Sequence, residues 1–205
     1  MKNLFKTVLK FSLATIILFA SLSDASARAA TVNLSYVAYA MPIKRVVVTG
    51  NVNVLILQSE REYVKMENPD MDKVAVKQLG STLTISSSED IPVTVFVYVR
   101  DIYRIDASGK ANVKTSGKFN VQNLQVLLKD EATARIRATT ESLYTAISGR
   151  ANLELIGTCG NHEYKMTDLA KMDTDKFVAL RSRDVNTFNS GAVSVANNKT
   201  GVTIK

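Results

Sequence analysis

The chain has 205 residues, 46% of them hydrophobic, a formal charge of +7, no Trp, one cysteine (Cys159) and one histidine (His162). One cysteine excludes an internal disulfide, and a lone Cys and His fall short of the three or four protein ligands of a zinc site. Lys and Arg are scattered rather than run together, which argues against nucleic acid as a partner.

Residues 1–27 read as a secretory signal peptide. Lys2, Lys6 and Lys10 form a positive n-region, Phe11 to Leu22 an apolar stretch interrupted by Ser and Thr, and Ala25-Ser26-Ala27 an A-x-A cleavage site. A membrane anchor is the alternative, and the stretch is short for it. Cleavage after Ala29 or Ala30 also fits, and no Cys follows the apolar segment to take a lipid. Losing Lys2, Lys6, Lys10 and Asp24 takes the formal charge from +7 to +5. Residues 28–205 then suit one domain that does not span the membrane and is held by packing and ladder hydrogen bonds.

Residues 30–41 are apolar and carry Tyr without a clear period. Ile43 to Leu57 is strongly strand-like, Val64 to Met66 is a short strand, and Asn68-Pro69-Asp70 is a turn. Val74-x-Val76 and Leu83-x-Ile85 read as two short strands around Leu79-Gly80-Ser81. Val93-x-Val95-x-Val97-x-Val99 is the longest unbroken alternation, with Pro92 at its start, where a missing N–H is tolerated. Whether residues 57–100 form diverged coils or a hairpin cap stays open at this level. No stretch after the signal peptide asks for an α-helix.

From Tyr103 onward one pattern repeats. Leu143-Tyr-Thr145-Ala-Ile147-Ser-Gly149-Arg-Ala151-Asn-Leu153-Glu-Leu155 alternates with period 2 and breaks once, at Ser148-Gly149. Aligned on that break, the pivots fall at Gly109, Asp130, Gly149, Asp168 and Gly191, in steps of 21, 19, 19 and 23 residues, with an earlier copy around Gly50. Gly and Asp share tolerance of left-handed or turn backbone. Two residues on stand Ala111, Ala132, Ala151, Ala170 and Val193. A repeat near 20 residues with columns of like size predicts an all-β, right-handed parallel β-helix (β-solenoid), with those alanines in single file.

The chemistry-bearing residues are few. Cys159 and His162, three residues apart, could form a nucleophile pair or half a metal site; the simpler reading places both in a turn between coils, with His162 at the edge of its column. Asp130 and Asp168, two coils and roughly 10 Å apart, are a conceivable acid/base pair, against the simpler reading that each accepts a local backbone N–H. Lys110, Glu131 and Arg150, and Lys114, Arg135, Glu154 and Asp173, are outward columns of mostly solvated charge. Asn112 and Asn152 recur, but Thr133 interrupts an asparagine ladder. Arg135 and Arg137 share a face and could grip a uronate or act as the base of a polysaccharide lyase. With Arg150 they are the candidate surface ligand contacts. Against an enzyme stand the lack of a carboxylate cluster and of Trp, and the inward placement expected of several Tyr and Phe. No catalytic, cofactor or metal residue is assigned.

The run Val46-Val-Val-Thr-Gly50-Asn-Val-Asn-Val-Leu-Ile-Leu-Gln58, the Val64 strand, Gly80-Ser-Thr-Leu-Thr-Ile85 and the later Ser-Gly-x-Ala units resemble the putative auto-transporter adhesin head GIN domain family. The likeness runs from about Ile43 to Ile204. Lys129-Asp130 and Thr167-Asp168 stand where the family has Ser-Gly. The resemblance implies a secreted or surface-exposed bacterial β-helix with an adhesin role. The coils are expected to continue almost to Lys205, leaving no room for a translocator barrel. The reading is an exported, non-enzymatic envelope or surface protein, periplasmic or extracellular, with a polysaccharide lyase-like enzyme as the alternative. A glycan or a cell-envelope protein fits as partner, and self-association by end or edge stacking follows from any uncapped ladder.

Overall fold

The computed structural model describes residues 36–38, as backbone, and 41–66 and 73–186. The expected signal peptide, the turn expected at Asn68-Pro69-Asp70 and the pivot expected at Gly191 lie outside the described residues. The strands in chain order are β1 (Tyr36–Ala38), β2 (Arg45–Gly50), β3 (Val52–Gln58), β4 (Tyr63–Met66), β5 (Ala75–Leu79), β6 (Thr82–Ser87), β7 (Val93–Val99), β8 (Arg104–Ser108), β9 (Asn112–Ser116), β10 (Asn123–Leu128), β11 (Thr133–Ile147), β12 (Asn152–Met166) and β13 (Lys171–Asp184).

These strands form one mixed sheet in the order β1-β4-β7-β3-β9-β11-β10-β8-β2-β6-β5, with β12 on β11 and β13 on β12. The pairs β1–β4, β4–β7 and β5–β6 are antiparallel and the rest are parallel. The expected right-handed parallel β-helix is overturned by this mixture, which makes an open half-barrel. Two features of the first half defeat the repeat. Residues 57–100 supply antiparallel partners, including the β5–β6 hairpin around Gly80. Strands β2 and β3 insert out of chain order, β2 between β6 and β8 and β3 between β7 and β9. The alanine file is nevertheless present as a row across neighbouring strands. The N–H of Thr133 donates to Ala111 O (2.8 Å), that of Asn152 to Ala132 O (3.0 Å) and that of Lys171 to Ala151 O (2.9 Å). A step near 20 residues thus sets the register of adjacent parallel strands without deciding how the sheet closes.

Strand β11 takes the sheet around the core. Its first residues, Thr133 to Arg135, pair with β9, and its last, Ser142 to Ile147, pair with β10. Inward residues on the two sides, Val46, Ile105 and Val126 on one and Val95, Val113 and Leu153 on the other, are fully buried. Each such side chain contributes about 1.5–3 kcal/mol on burial, which is how a fold without disulfides holds together.

The tightest constraint sits at the pivots. Gly149 has φ of 72°, and a Cβ there would stand 2.8 Å from Asp130 O, so the neighbouring turn excludes a side chain. Asp130 and Asp168 adopt the same left-handed backbone at φ of 61° and 62°, and each reaches back to a glycine: Gly109 N–H donates to Asp130 Oδ2 and Gly149 N–H to Asp168 Oδ2, both at 3.0 Å. Alternating Gly and Asp therefore lets successive turns lie against one another while satisfying N–H groups that no ladder reaches.

His162 places an imidazole in the core. It lies in β12 beside Leu143 of β11, 3% exposed, shares a 3.0 Å hydrogen bond with Thr145 Oγ1 and meets the edge of the Phe177 ring at 5.4 Å. Burial lowers its pKa from 6.5 to about 4. The folded state thus binds fewer protons than the unfolded chain between those values, and stability present above pH 6.5 is lost as pH falls through 4.

Two outcomes follow from these contacts. Gly149→Ala should lower unfolding stability by about 1–3 kcal/mol through φ strain and crowding, read as an earlier urea midpoint with an unchanged slope. The native protein should lose on the order of 3 kcal/mol between pH 7 and pH 4 from His162 alone, and His162→Leu should flatten that part of the pH profile.

Candidate binding surface

The pivot turns form a ridge with a shallow open depression of about 440 Å³, lined by Gly109, Lys110, Asp130, Glu131, Gly149 and Arg150. Both candidate acid/base carboxylates are occupied there. Asp130 and Asp168 each accept a glycine N–H, and Gly149 stands between them in the stack. Arg150 is 73% exposed and faces Glu131 at 3.6 Å, an ion pair worth a few tenths of a kcal/mol at such exposure.

Arg135 and Arg137 leave the outer face of β11, apart from Arg150 in the turn. In register, Arg135 stands between Lys114 of β9 and Glu154 of β12, and its Nε lies 3.2 Å from Glu154 Oε2. Arg137 is exposed, and its backbone is locked by Thr115, whose hydroxyl accepts the Arg137 N–H (2.7 Å) and donates to the Arg137 carbonyl (2.9 Å). The same face continues over β3, β7 and β4 with the half-buried Leu55, Leu57, Phe96 and Tyr98. Tyr63 and Tyr98 stack at 4.1 Å, and Lys65 Nζ stands 5.7 Å from the Phe96 centroid. Burial, then the hydrogen bond with Tyr98, raises the Tyr63 pKa. These aromatics face outward, contrary to the inward placement expected. The signal was available: with every valine of Val93–Val99 turned inward, parity puts Phe96 and Tyr98 outside. Phe119, 2% exposed, is inward. The asparagine row also runs the other way, Asn112 Nδ2 donating to Asn53 Oδ1 at 3.1 Å.

Cys159 and His162 are not in a turn between coils, as expected, but inside β12, and both are buried. The Cys159 thiol donates to Asn161 O at 2.9 Å and the imidazole is engaged by Thr145, so neither acts on the other through the contacts they make. Among the described residues no group of three or more His, Cys, Asp or Glu is placed to hold a metal ion.

One cluster escapes sequence reading. Arg45 of β2 and Arg104 of β8 are register neighbours, both over Asp106. Arg45 Nε donates to Asp106 Oδ2 at 2.7 Å, while Arg104 donates from Nε (3.0 Å) and Nη2 (2.8 Å) to Oδ1. The hydrogen bonds that Arg104 donates to the Asp106 carboxylate raise its pKa above the ordinary value. Arg45 and Asp106 are 61 residues apart in sequence, so only the out-of-order insertion of β2 brings them together.

Comparison with known proteins agrees with an all-β fold. The profile of the family described as putative auto-transporter adhesin, head GIN domain, matches residues 43–204. No curated protein matches the chain. Among solved structures, a putative adhesin from Parabacteroides distasonis ATCC 8503 is similar at 12% identity and a TM-score of 0.56, over 74% of this chain and 76% of that one. A putative lipid binding protein from the same organism is similar at 10% identity and a TM-score of 0.52, over 74% and 78%. At these identities the two structures speak to fold alone. The family match spans most of the chain, and the protein belongs to the family of putative auto-transporter adhesins with a head GIN domain.

Proposed function

We propose that the protein is an exported, non-enzymatic binding module of the cell envelope or surface, which holds a glycan or an envelope protein against the outer face of its sheet. The observation that carries this reading is the fixed outer row of β9, β11 and β12, where Lys114 and Arg135 lie side by side with Arg137 two residues on. Arg150 adds an exposed cation at the adjoining ridge. A partner settling on paired strands orders little that is not already ordered, so modest contacts give usable affinity. Family membership supports an adhesin-like role, and the signal-peptide features of residues 1–27 support export.

The test is saturable binding of the purified protein to immobilised polysaccharides and envelope proteins, with product release assayed in parallel, with and without calcium. The double variant Arg135→Ala/Arg137→Ala should bind the retained partner roughly threefold or more weakly, the scale of two exposed charge contacts. Turnover of a polysaccharide, abolished by either substitution, would establish the lyase-like alternative and end this reading.

A further inference from the structure

We propose that Arg45 and Arg104, with Gln125 and Tyr144 beside them, form a binding site for the acidic sugars of a carboxylate-bearing polysaccharide. The proposal rests on the chain being a binding module, but not on the Arg135 face.

The site is a single outward row. Register places Arg45 beside Arg104, Arg104 beside Gln125, and Gln125 beside Tyr144, on the adjacent strands β2, β8, β10 and β11. At about 4.8 Å per strand the four side chains span about 14 Å. Like charges directly opposite one another across two strands repel, and here one carboxylate offsets two guanidinium groups. Asp106 is 18% exposed and takes both arginines largely by their Nε edge. Asp106 does not use the two Nη groups of Arg45 or Nη1 of Arg104. The nearby Lys44 does not alter the balance, because Asp101 takes its Nζ at 2.8 Å, and Glu163, next in the row beyond Tyr144, is paired with Arg183.

The cluster therefore keeps one surplus positive charge and several unspent donors, on side chains 35% and 29% exposed. Partial burial strengthens attraction for an anion relative to a free surface lysine. Pinning by Asp106 fixes the planes of the guanidinium groups, so a planar carboxylate meets a preformed fork. The half-buried Gln125 and Tyr144 add an amide and an aromatic ring with a hydroxyl along the same line. A cation pair followed by an amide and a ring matches successive acidic and hydroxylated sugars better than a bilayer. These side chains lie partly sunk in the sheet, and the row holds no protruding apolar residue to enter a bilayer.

Titration with oligogalacturonate, followed by the Nε–Hε resonances of Arg45 and Arg104 and by calorimetry, tests the site, with dextran and phosphatidylglycerol-containing vesicles as comparators. Saturable binding that weakens with salt and shifts both arginine signals is expected. Arg45→Gln and Arg104→Gln should each weaken it about tenfold, and Arg45→Lys should lose most of the affinity while keeping the charge. The resonance shifts decide the matter even where a variant folds poorly. Binding without shifts at these two residues, equal affinity for dextran, or capture by the vesicles alone would overturn the acidic-sugar site while leaving a binding module standing. Absence of saturable binding to every glycan and envelope protein would instead remove the module reading itself.

Discussion

The structure depends on tight left-handed turns stacked one against the next, in which glycine leaves room for the neighbouring backbone and aspartate reaches back to it. Where the chain bends at Gly109, Asp130, Gly149 and Asp168, each left-handed residue lies against the turn before it, and hydrogen bonds such as Arg150 N–H to Asp130 O and Leu169 N–H to Gly149 O tie turn to turn. A bend one residue longer or shorter would shift the next strand by one position and exchange its faces. The turns therefore decide which residues are buried and which reach a partner. The packed row Val113, Ala134, Leu153 and Met172 and the charged row Lys114, Arg135, Glu154 and Asp173 are two consequences of one register.

How much of this is legible in sequence follows the distance over which each feature is encoded. Strand positions, the pivots and their side-by-side alanines are local or recur every 19 to 21 residues, and the period-2 pattern exposes them. The closure of the sheet is not encoded that way. Nothing in Val46–Gln58 says that β2 and β3 will lie between later strands, or in Val64 that its strand joins an antiparallel pair, whereas the β5–β6 hairpin is legible as two short strands around Gly80. A repeat read only from its regular half extends naturally into a wound coil, and the first half replaces that coil with hairpins and inserted strands. The candidate surface divides in the same way. Arg135 and Glu154 are separated by one repeat and can be paired on paper, whereas Arg45 and Asp106 require the tertiary order of strands.

Position in the core, rather than local chemistry, accounts for Cys159 and His162. Their three-residue spacing and flanking glycines look like a loop, yet β12 carries the chain through Gly157 and Gly160 as strand. At Gly157 a Cβ would stand 2.1 Å from Ala138 O and at Gly160 2.7 Å from Glu141 O, so these glycines allow close approach of neighbouring strands. The imidazole occupies a slot filled by Leu143 on the next strand and by Leu124 on the one beyond, which is why it is held neutral.

The two basic rows differ in a way that bears on what each can do. Along Lys114, Arg135, Glu154 and Asp173, two cations face two carboxylates, and the Arg135–Glu154 pair is 49% and 31% exposed, open to screening by salt. Its charges cancel within the row, so it contributes solvation and modest register preference as readily as recognition. In the other row the offsetting charge is a single, more buried Asp106 serving two arginines, and the remainder does not cancel locally. A sheet that placed these arginines only for stability would gain more from one Arg–Asp pair, because the second guanidinium brings repulsion and desolvation for one further hydrogen bond. Local rules broken without a local gain concentrate where a protein meets a ligand, which is the physical ground for adding an acidic-sugar site at Arg45 and Arg104 to the partner-facing row of Arg135 and Arg137.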